Sequence, residues 1–237
     1  SRSLFYNLCI KDKFKMGINK FEQLLSDRGV CLAPLRTRVV TTKSSMQSWN
    51  YPNLIGGLMV NGINQVVVGD LTYIHVNGQR FFLFCLTDIY SARIVGHCIS
   101  RNMRAIDAKQ AAEMWIRLRA PKNLKSCIHH TDGGTQYFSR LYLGMLNNLK
   151  AQISRAITCL ENGYAEQRNG LIKHHLLPTI NGSGKDLPDQ QIKQILRTYN
   201  HERKQQALGW LSPVEFEKKV AKMEHKPKIT LHDFKKE

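Results

Sequence analysis

At 237 residues the chain is long enough to bury a real core, as one full domain with appendages or as two small ones. Thirty-five Lys and Arg against eighteen Asp and Glu leave a formal charge of +17, which favours a polyanionic partner over an acidic or neutral surface role. Six scattered cysteines without a Cys-x-x-Cys pair argue against a disulfide or zinc framework and for reduced thiols of a cytosolic protein, and no apolar run approaches a membrane span.

The basic excess runs through the whole chain, so no single tail accounts for it; a merely cationic surface is the bland alternative. No signal peptide is read, and the missing initiator Met is expected of a fragment or a processed chain.

Residues 16–40 read as two short helices: Ile18, Phe21, Leu24 and Leu25 share one face, Gly29 closes it, and Pro34 opens a segment carrying Arg36 and Arg38. That pair of helices either touches DNA or simply packs. The Ser, Thr, Asn, Gly and Pro content of residues 41–58 marks a linker.

From Gln65 to Val76 the β-branched run is too continuous for a half-exposed strand, so it predicts a central one. Asp70 lies inside it, where an ionised carboxylate needs a partner such as a metal ion. Asn77-Gly78 signals a hairpin into a strand at Arg80–Leu86, and Asp88 to Ser91 turns the chain into a third strand at Arg93–Ile99, with Asp88 read as the cap of that turn. Ala108, Ala111, Ala112 and Trp115 then space a helix over residues 104–119, ended by Pro121.

A fourth strand ends in Ile-His-His-Thr-Asp-Gly-Gly-Thr-Gln-Tyr, residues 128–137, whose glycines leave Asp132 at a strand tip facing a cleft. Its two histidines read as hydrogen-bonding groups; if either matters to the cleft it is His130, on the same strand face as Asp132. A helix at residues 139–148, a short strand at 151–154 and a helix from Leu160 to about His175 complete the series. Glu161 and Glu166 on that last helix stand roughly 140° apart and cannot share a face. Asn162, Glu166, Asn169 and Lys173 do share one.

Past a Gly182 to Gly184 loop, Ile192, Ile195, Leu196 and Tyr199 define another amphipathic helix. Ser212-Pro213-Val214-Glu215 is a capping box that starts the last one. Residues 218–236 read as a solvated, mostly basic tail.

Residues 128–137 resemble the His-Ser-Asp-x-Gly-x-Gln-Tyr signature of insertion-sequence-3-type transposases, within the retroviral-integrase superfamily. Glu161-Asn162-Gly163-Tyr164-Ala165-Glu166 is similar to the family's Asp-Asn-Ala-x-x-Glu motif, with Lys173 at its basic position. Tyr199-Asn200, Arg203 and Leu208-Gly209 resemble the family's Tyr-Asn-x-x-Arg-x-His-x-x-Leu-Gly ending, although Gln205 replaces the His. Thirty-three residues separate Asp132 from Glu166, two fewer than the family usually has, Gly163 replaces Ala, and Gly69 stands where a Thr commonly precedes the first Asp.

The resemblance implies an α/β fold: an RNase-H-like mixed five-stranded sheet with flanking helices, preceded by a small helical segment. The implied division is a helix-turn-helix-like segment at 1–42, a linker at 43–60, a catalytic core at 61–218 and a basic tail at 219–237. It implies an Asp-Asp-Glu site of Asp70, Asp132 and Glu166 that holds Mg²⁺ or Mn²⁺, as two ions, and breaks and joins DNA strands by in-line displacement. Glu161 is then a first-turn acid favoured by the helix dipole. Lys173, Arg168, Asn162, Asn169, Arg203, Arg36 and Arg38 are the expected DNA contacts. The expected partners are double-stranded DNA and further copies of the chain, with no membrane, in a bacterial cytoplasm and on the nucleoid when DNA is bound. Two rival readings share this fold: a catalytically inactive DNA-binding protein, and a structure-specific nuclease that hydrolyses without joining.

Overall fold

The computed structural model describes residues 2–11, 16–30, 50–76, 78–173 and 189–232. Its centre is a five-stranded sheet of β2 (Val66–Val76), β3 (Gln79–Asp88), β4 (Ile94–Ser100), β5 (Ile128–Thr131) and β6 (Gln152–Arg155), in the order β4-β3-β2-β5-β6. The first three strands are antiparallel, and β5 and β6 run parallel to β2. The long apolar run thus becomes the central strand, as its continuity predicts. The expected hairpin joins β2 to β3; Gly78 takes φ +74, a value a residue without Cβ adopts freely, and Asn77 lies outside the described residues.

Strand alternation divides the core between the two faces of the sheet. Val67, Phe84 and Leu86 pack under α3 (Ala105–Arg119) and α4 (Arg140–Asn148) with Trp115, Tyr142 and Leu146. On the opposite face Val66 and Val68 meet Ala165 of α5 (Gly163–Leu171) and Phe216 of α7 (Pro213–Val220). Farther along that face Ile74 and Leu83 meet Ile172, and Ile192 and Leu196 of α6 (Asp189–His201). The closest approach is at Gly96, where a Cβ would stand 2.1 Å from the Ala111 carbonyl oxygen of α3.

A buried ion network fastens α7 to this frame. Arg119, at the end of α3, donates to Glu217 Oε2 at 3.0 Å and lies 3.6 Å from Asp88; Arg93 reaches the same Glu217 oxygen at 2.5 Å. Asp88 caps its turn as expected, accepting from the backbone N–H groups of Asn64, Tyr90 and Ser91. The capping box at Ser212 and Glu215 starts α7.

Three features differ from the sequence reading. Residues 2–11 form a helix, α1, that no apolar spacing announces; Tyr6 stacks on Trp210 with ring centroids 4.7 Å apart, and Phe5 meets Phe21 of α2 (Ile18–Asp27). The expected linker is not free at its described end, since Ile55 is buried and Leu54 N donates to Ser154 Oγ at 2.9 Å. Nor is the basic tail wholly solvated: β7 (Ile229–Thr230) pairs antiparallel with β1 (Met59–Val60), Leu231 is buried, and Tyr90 OH donates to the Pro227 carbonyl. Single apolar residues among lysines, too few for a periodic signal, hold that return. Among the described residues no helix is long and apolar enough to cross a membrane. The expected helix after Pro34, with Arg36 and Arg38, lies outside the described residues.

Candidate active site

Parallel pairing of β2 with β5 sets the site. Gly69 is the last register partner, opposite Thr131, so Asp70 continues β2 while Asp132 leaves the end of β5 beside it. Space at position 69 is tight: a Cβ there would meet Leu86 Cδ2 at 2.8 Å and the Thr131 methyl at 3.0 Å, so those side chains would have to shift. Glycine in place of the family's Thr is therefore matched by the bulk of Thr131.

Beyond β5 the chain turns sharply, and Gly134 N donates to Asp132 Oδ1 at 3.2 Å. A Cβ on Gly134 would fall 2.4 Å from the Gln136 amide nitrogen and 3.0 Å from Asp132 Oδ1. The second glycine thus does more than permit a turn, because it keeps the Asp132 carboxylate and the Gln136 amide side by side.

Helix α5 lies across β2 and β3. Its buried face is Ala165, Asn169 and Ile172. Asn169 Nδ2 donates to Asp70 Oδ2 at 2.7 Å, and Asn162 Nδ2 reaches the Gly69 carbonyl at 3.4 Å. Both asparagines, expected on a phosphate-facing stripe, are turned inward to β2 and are 4% and 2% exposed. Glu166, one helical step from that face, stays exposed beside the aspartates. Lys173 holds its ammonium 4.0 Å from the centre of the Tyr73 ring.

The electrostatics agree with the geometry. Burial raises the Asp70 carboxyl to about 8, the nearby charges of Asp132 and then Glu166 raise it as well, and the Asn169 amide opposes them. Three acidic groups therefore bear on one another in a chain that is otherwise basic. Asp70 and Asp132 lead the constellation, with Glu166 at its rim.

A hard divalent cation fits this donor set. Among the described residues no three acidic, histidine or cysteine side chains close into a metal cage, and Mg²⁺ characteristically takes one or two carboxylates, keeps waters and draws further oxygens from a phosphate substrate. Cys85 faces Asp70 across β3, but burial pushes its thiol far up, so it stays protonated and leaves an all-oxygen set.

Other expected residues fall elsewhere. Glu161 turns back to accept from Ile157 N at 2.6 Å and so closes the loop before the helix instead of serving the first turn of α5. His129 is 2.8 Å from Tyr142 OH and His130 is 2.8 Å from Ser154 Oγ. Burial lowers these rings to about 3 and about 4, so both are neutral core groups. Arg168 lies on the flank of α5 opposite Glu166 and donates to Gln205 Oε1 at 3.0 Å; Arg203 is near it and half-buried. The Tyr-Asn pair is structural: Tyr199 OH donates to the Ala92 carbonyl, and the Asn200 amide pairs with both backbone groups of Ile94. Tyr137 is buried, and its phenol is close enough to Asp70 and Asp132 to feel both charges.

A mixed sheet with one acid inside its central strand and another just past the end of the parallel neighbour, covered by a helix bearing a third, defines an RNase-H-like core of the integrase type. Residues 61–158 match an integrase core domain family, and residues 147–213 match a second integrase core domain family. The uncharacterized 31 kDa protein of insertion element IS600 from Shigella sonnei is 29% identical over 187 residues, 77% of this chain and 68% of that protein. The transposase for insertion sequence element IS904 of Lactococcus lactis is 29% identical over 72% of this chain and 68% of its own length. Transposase InsF for insertion sequence IS3A of Escherichia coli is 30% identical over 67% of this chain, which spans 56% of it. The HTLV-2 integrase catalytic core domain, solved in complex with magnesium, superimposes with a TM-score of 0.54 at 18% identity, over 70% of this chain and 99% of that one. A simian T-cell lymphotropic virus intasome chain gives 0.55 at 15% identity, over 78% and 60%. Residues 61–213 thus match integrase core domains throughout, and the chain is similar to the transposases of IS3-type insertion sequences.

Proposed function

We propose that this transposase cuts and joins DNA by two successive in-line displacements at phosphorus, with Asp70, Asp132 and Glu166 as its catalytic carboxylates. Water first attacks the phosphodiester at an element end and frees a 3′-hydroxyl; that hydroxyl then attacks a second phosphodiester. The observation that carries the reading is the Gly69–Thr131 register, which sets Asp70 beside Asp132 under the helix that bears Glu166.

The three carboxylates would hold a pair of Mg²⁺ or Mn²⁺ ions, which supply activation of the attacking oxygen and stabilisation of the leaving one. The chain's own groups do the rest. Asn169 orients Asp70, Gly134 leaves space for Asp132 and Gln136 to stand together, and Lys173 adds a positive charge for the phosphate. Double-stranded DNA, the excess of basic groups, and assembly of several copies to pair two ends complete the reading, with action in a bacterial cytoplasm.

The test uses a branched DNA that mimics a joined end, incubated with Mn²⁺ or Mg²⁺, with the resealed strand scored on a gel. The native protein reseals it, and Glu166→Gln loses resealing while DNA binding persists. Hydrolysis without resealing would instead mark a nuclease, and equal loss of binding and chemistry in the variant would give Glu166 a folding role.

A further inference from the structure

Arg168 and Arg203 stand together on the far flank of α5, outside the carboxylate site. Arg168 follows Glu166 by two residues, roughly 200° around the helix, so the body of α5, about 10 Å across, separates the two groups. Its Nη1 donates to Tyr199 OH at 3.3 Å and to Gln205 Oε1 at 3.0 Å, and its Nη2 donates to Gln167 Oε1 at 3.2 Å. Gln205 Nε2 in turn donates to Tyr199 OH at 3.2 Å. Every one of these acceptors is neutral, so Arg168 is held in place with its charge intact.

Arg203 is in a sharper position. Its backbone is fixed by the bond from its N–H to the Thr198 carbonyl at 3.0 Å, at the end of α6. Its guanidinium is half-buried and meets no acceptor among the described residues. Burial pulls its pKa below the ordinary arginine value; Tyr199 opposes that shift, and the neighbouring charge of Arg168 adds to it. Neither arginine is in an ion pair among the described residues, whereas Arg93, Arg104, Arg119 and Lys204 each have a carboxylate. Two partly desolvated guanidiniums kept beside each other without an acid form a site for an anion, and their planar forks match phosphate oxygens two at a time.

We propose that Arg168 and Arg203 clamp a DNA backbone phosphate other than the scissile one, with Gln205 and Tyr199 holding Arg168 in position. The proposal rests on the DNA-cutting function above and adds a second anchor, about a helix width from the carboxylates. Gln205 makes that anchor independent of pH near neutrality, because an amide does not titrate.

The experiment measures binding of a short fluorescein-labelled duplex across a potassium chloride series, in EDTA so that the carboxylate site is left out. For Arg203→Gln the slope of log affinity against log salt falls in magnitude by about 1, and for the double change with Arg168→Gln by about 2. Arg203→Lys keeps the native slope. Thermal melts report folding; Arg203, which braces nothing among the described residues, decides the matter alone if the Arg168 change weakens the fold. An unchanged slope in a folded Arg203→Gln protein overturns the clamp and leaves the function standing. So does an equal fall in Lys122→Gln, an exposed cation elsewhere on the surface, since that result reduces the effect to diffuse charge. Absence of salt-sensitive binding in the native protein overturns the function and the clamp together.

Discussion

Asn169 Nδ2 donates to Asp70 Oδ2 at 2.7 Å, joining the buried face of α5 to the central strand at the point where the chain concentrates its carboxylates. The bond links two residues 99 positions apart, and it does two things. It fixes the rotamer of Asp70, and it partly offsets the burial and like charges that favour the protonated acid.

Asn169→Ala removes that donor and leaves the other Asp70 contacts in place. Groups that orient a ligand typically change metal affinity or activity by about 10- to 100-fold when they are lost. Resealing of the branched DNA is therefore expected to drop by that amount, with half-saturation moved to higher Mn²⁺. An unaltered Mn²⁺ titration would remove Asn169 from the account of the site.

Gly96→Ala tests the packing of α3 on β4. The new methyl would stand 2.1 Å from the Ala111 carbonyl oxygen and 3.2 Å from Trp115 N, and both are backbone atoms that cannot rotate away. The helix has to lift from the sheet, at a cost of about 1–3 kcal/mol or somewhat more. Urea unfolding should show the midpoint fall; a native midpoint would mean that the two elements are less closely held than this.

Glu217 gives the fold a pH dependence. Burial by itself would raise this carboxyl, but hydrogen bonds and charge from Arg119, and then from Arg93, outweigh it and hold the group below the ordinary carboxylate range. The folded protein thus binds fewer protons at this site than the unfolded chain, so the contribution is complete above the unfolded value of about 4.5 and is lost as pH falls through the folded one. Glu217→Gln is expected to cost roughly 3 kcal/mol at neutral pH, because two largely buried guanidiniums lose their main counter-charge. On acidification the gap between native and variant proteins should narrow. A gap that stays constant from neutral pH to below 4 would mean that the carboxylate is replaceable by any hydrogen-bonding group.

Much of the site was legible because its signals are local. A β-branched run marks a central strand wherever it is met, and two glycines after Asp132 mark a strand tip without reference to the rest of the chain. The helix bearing Glu166 was legible too, but its start was not: Glu161, expected in the first turn, lies before the helix in a 3₁₀ turn. The inward turn of Asn162 and Asn169 was not, because helical spacing shows which residues share a face and not which way that face points. Local patterning was equally silent about the Arg119–Glu217 pair, whose members are 98 positions apart, and about α1 and β7, each held by a few long-range contacts.

The amino-acid sequence by itself determined the order of the core strands and helices, the placing of Asp70 inside the central strand and of Asp132 at a strand tip, and the basic character of the chain. Only the tertiary structure decided that Gly69 sits tightly against Leu86 and Thr131, that Asn169 serves Asp70, and that Arg168 is near Arg203 away from the carboxylates. The physical reason is range. Periodicity, caps and turns are set by residues a few positions apart, whereas strand register and the burial of a helix face are set by contacts that exist once the whole sheet has closed.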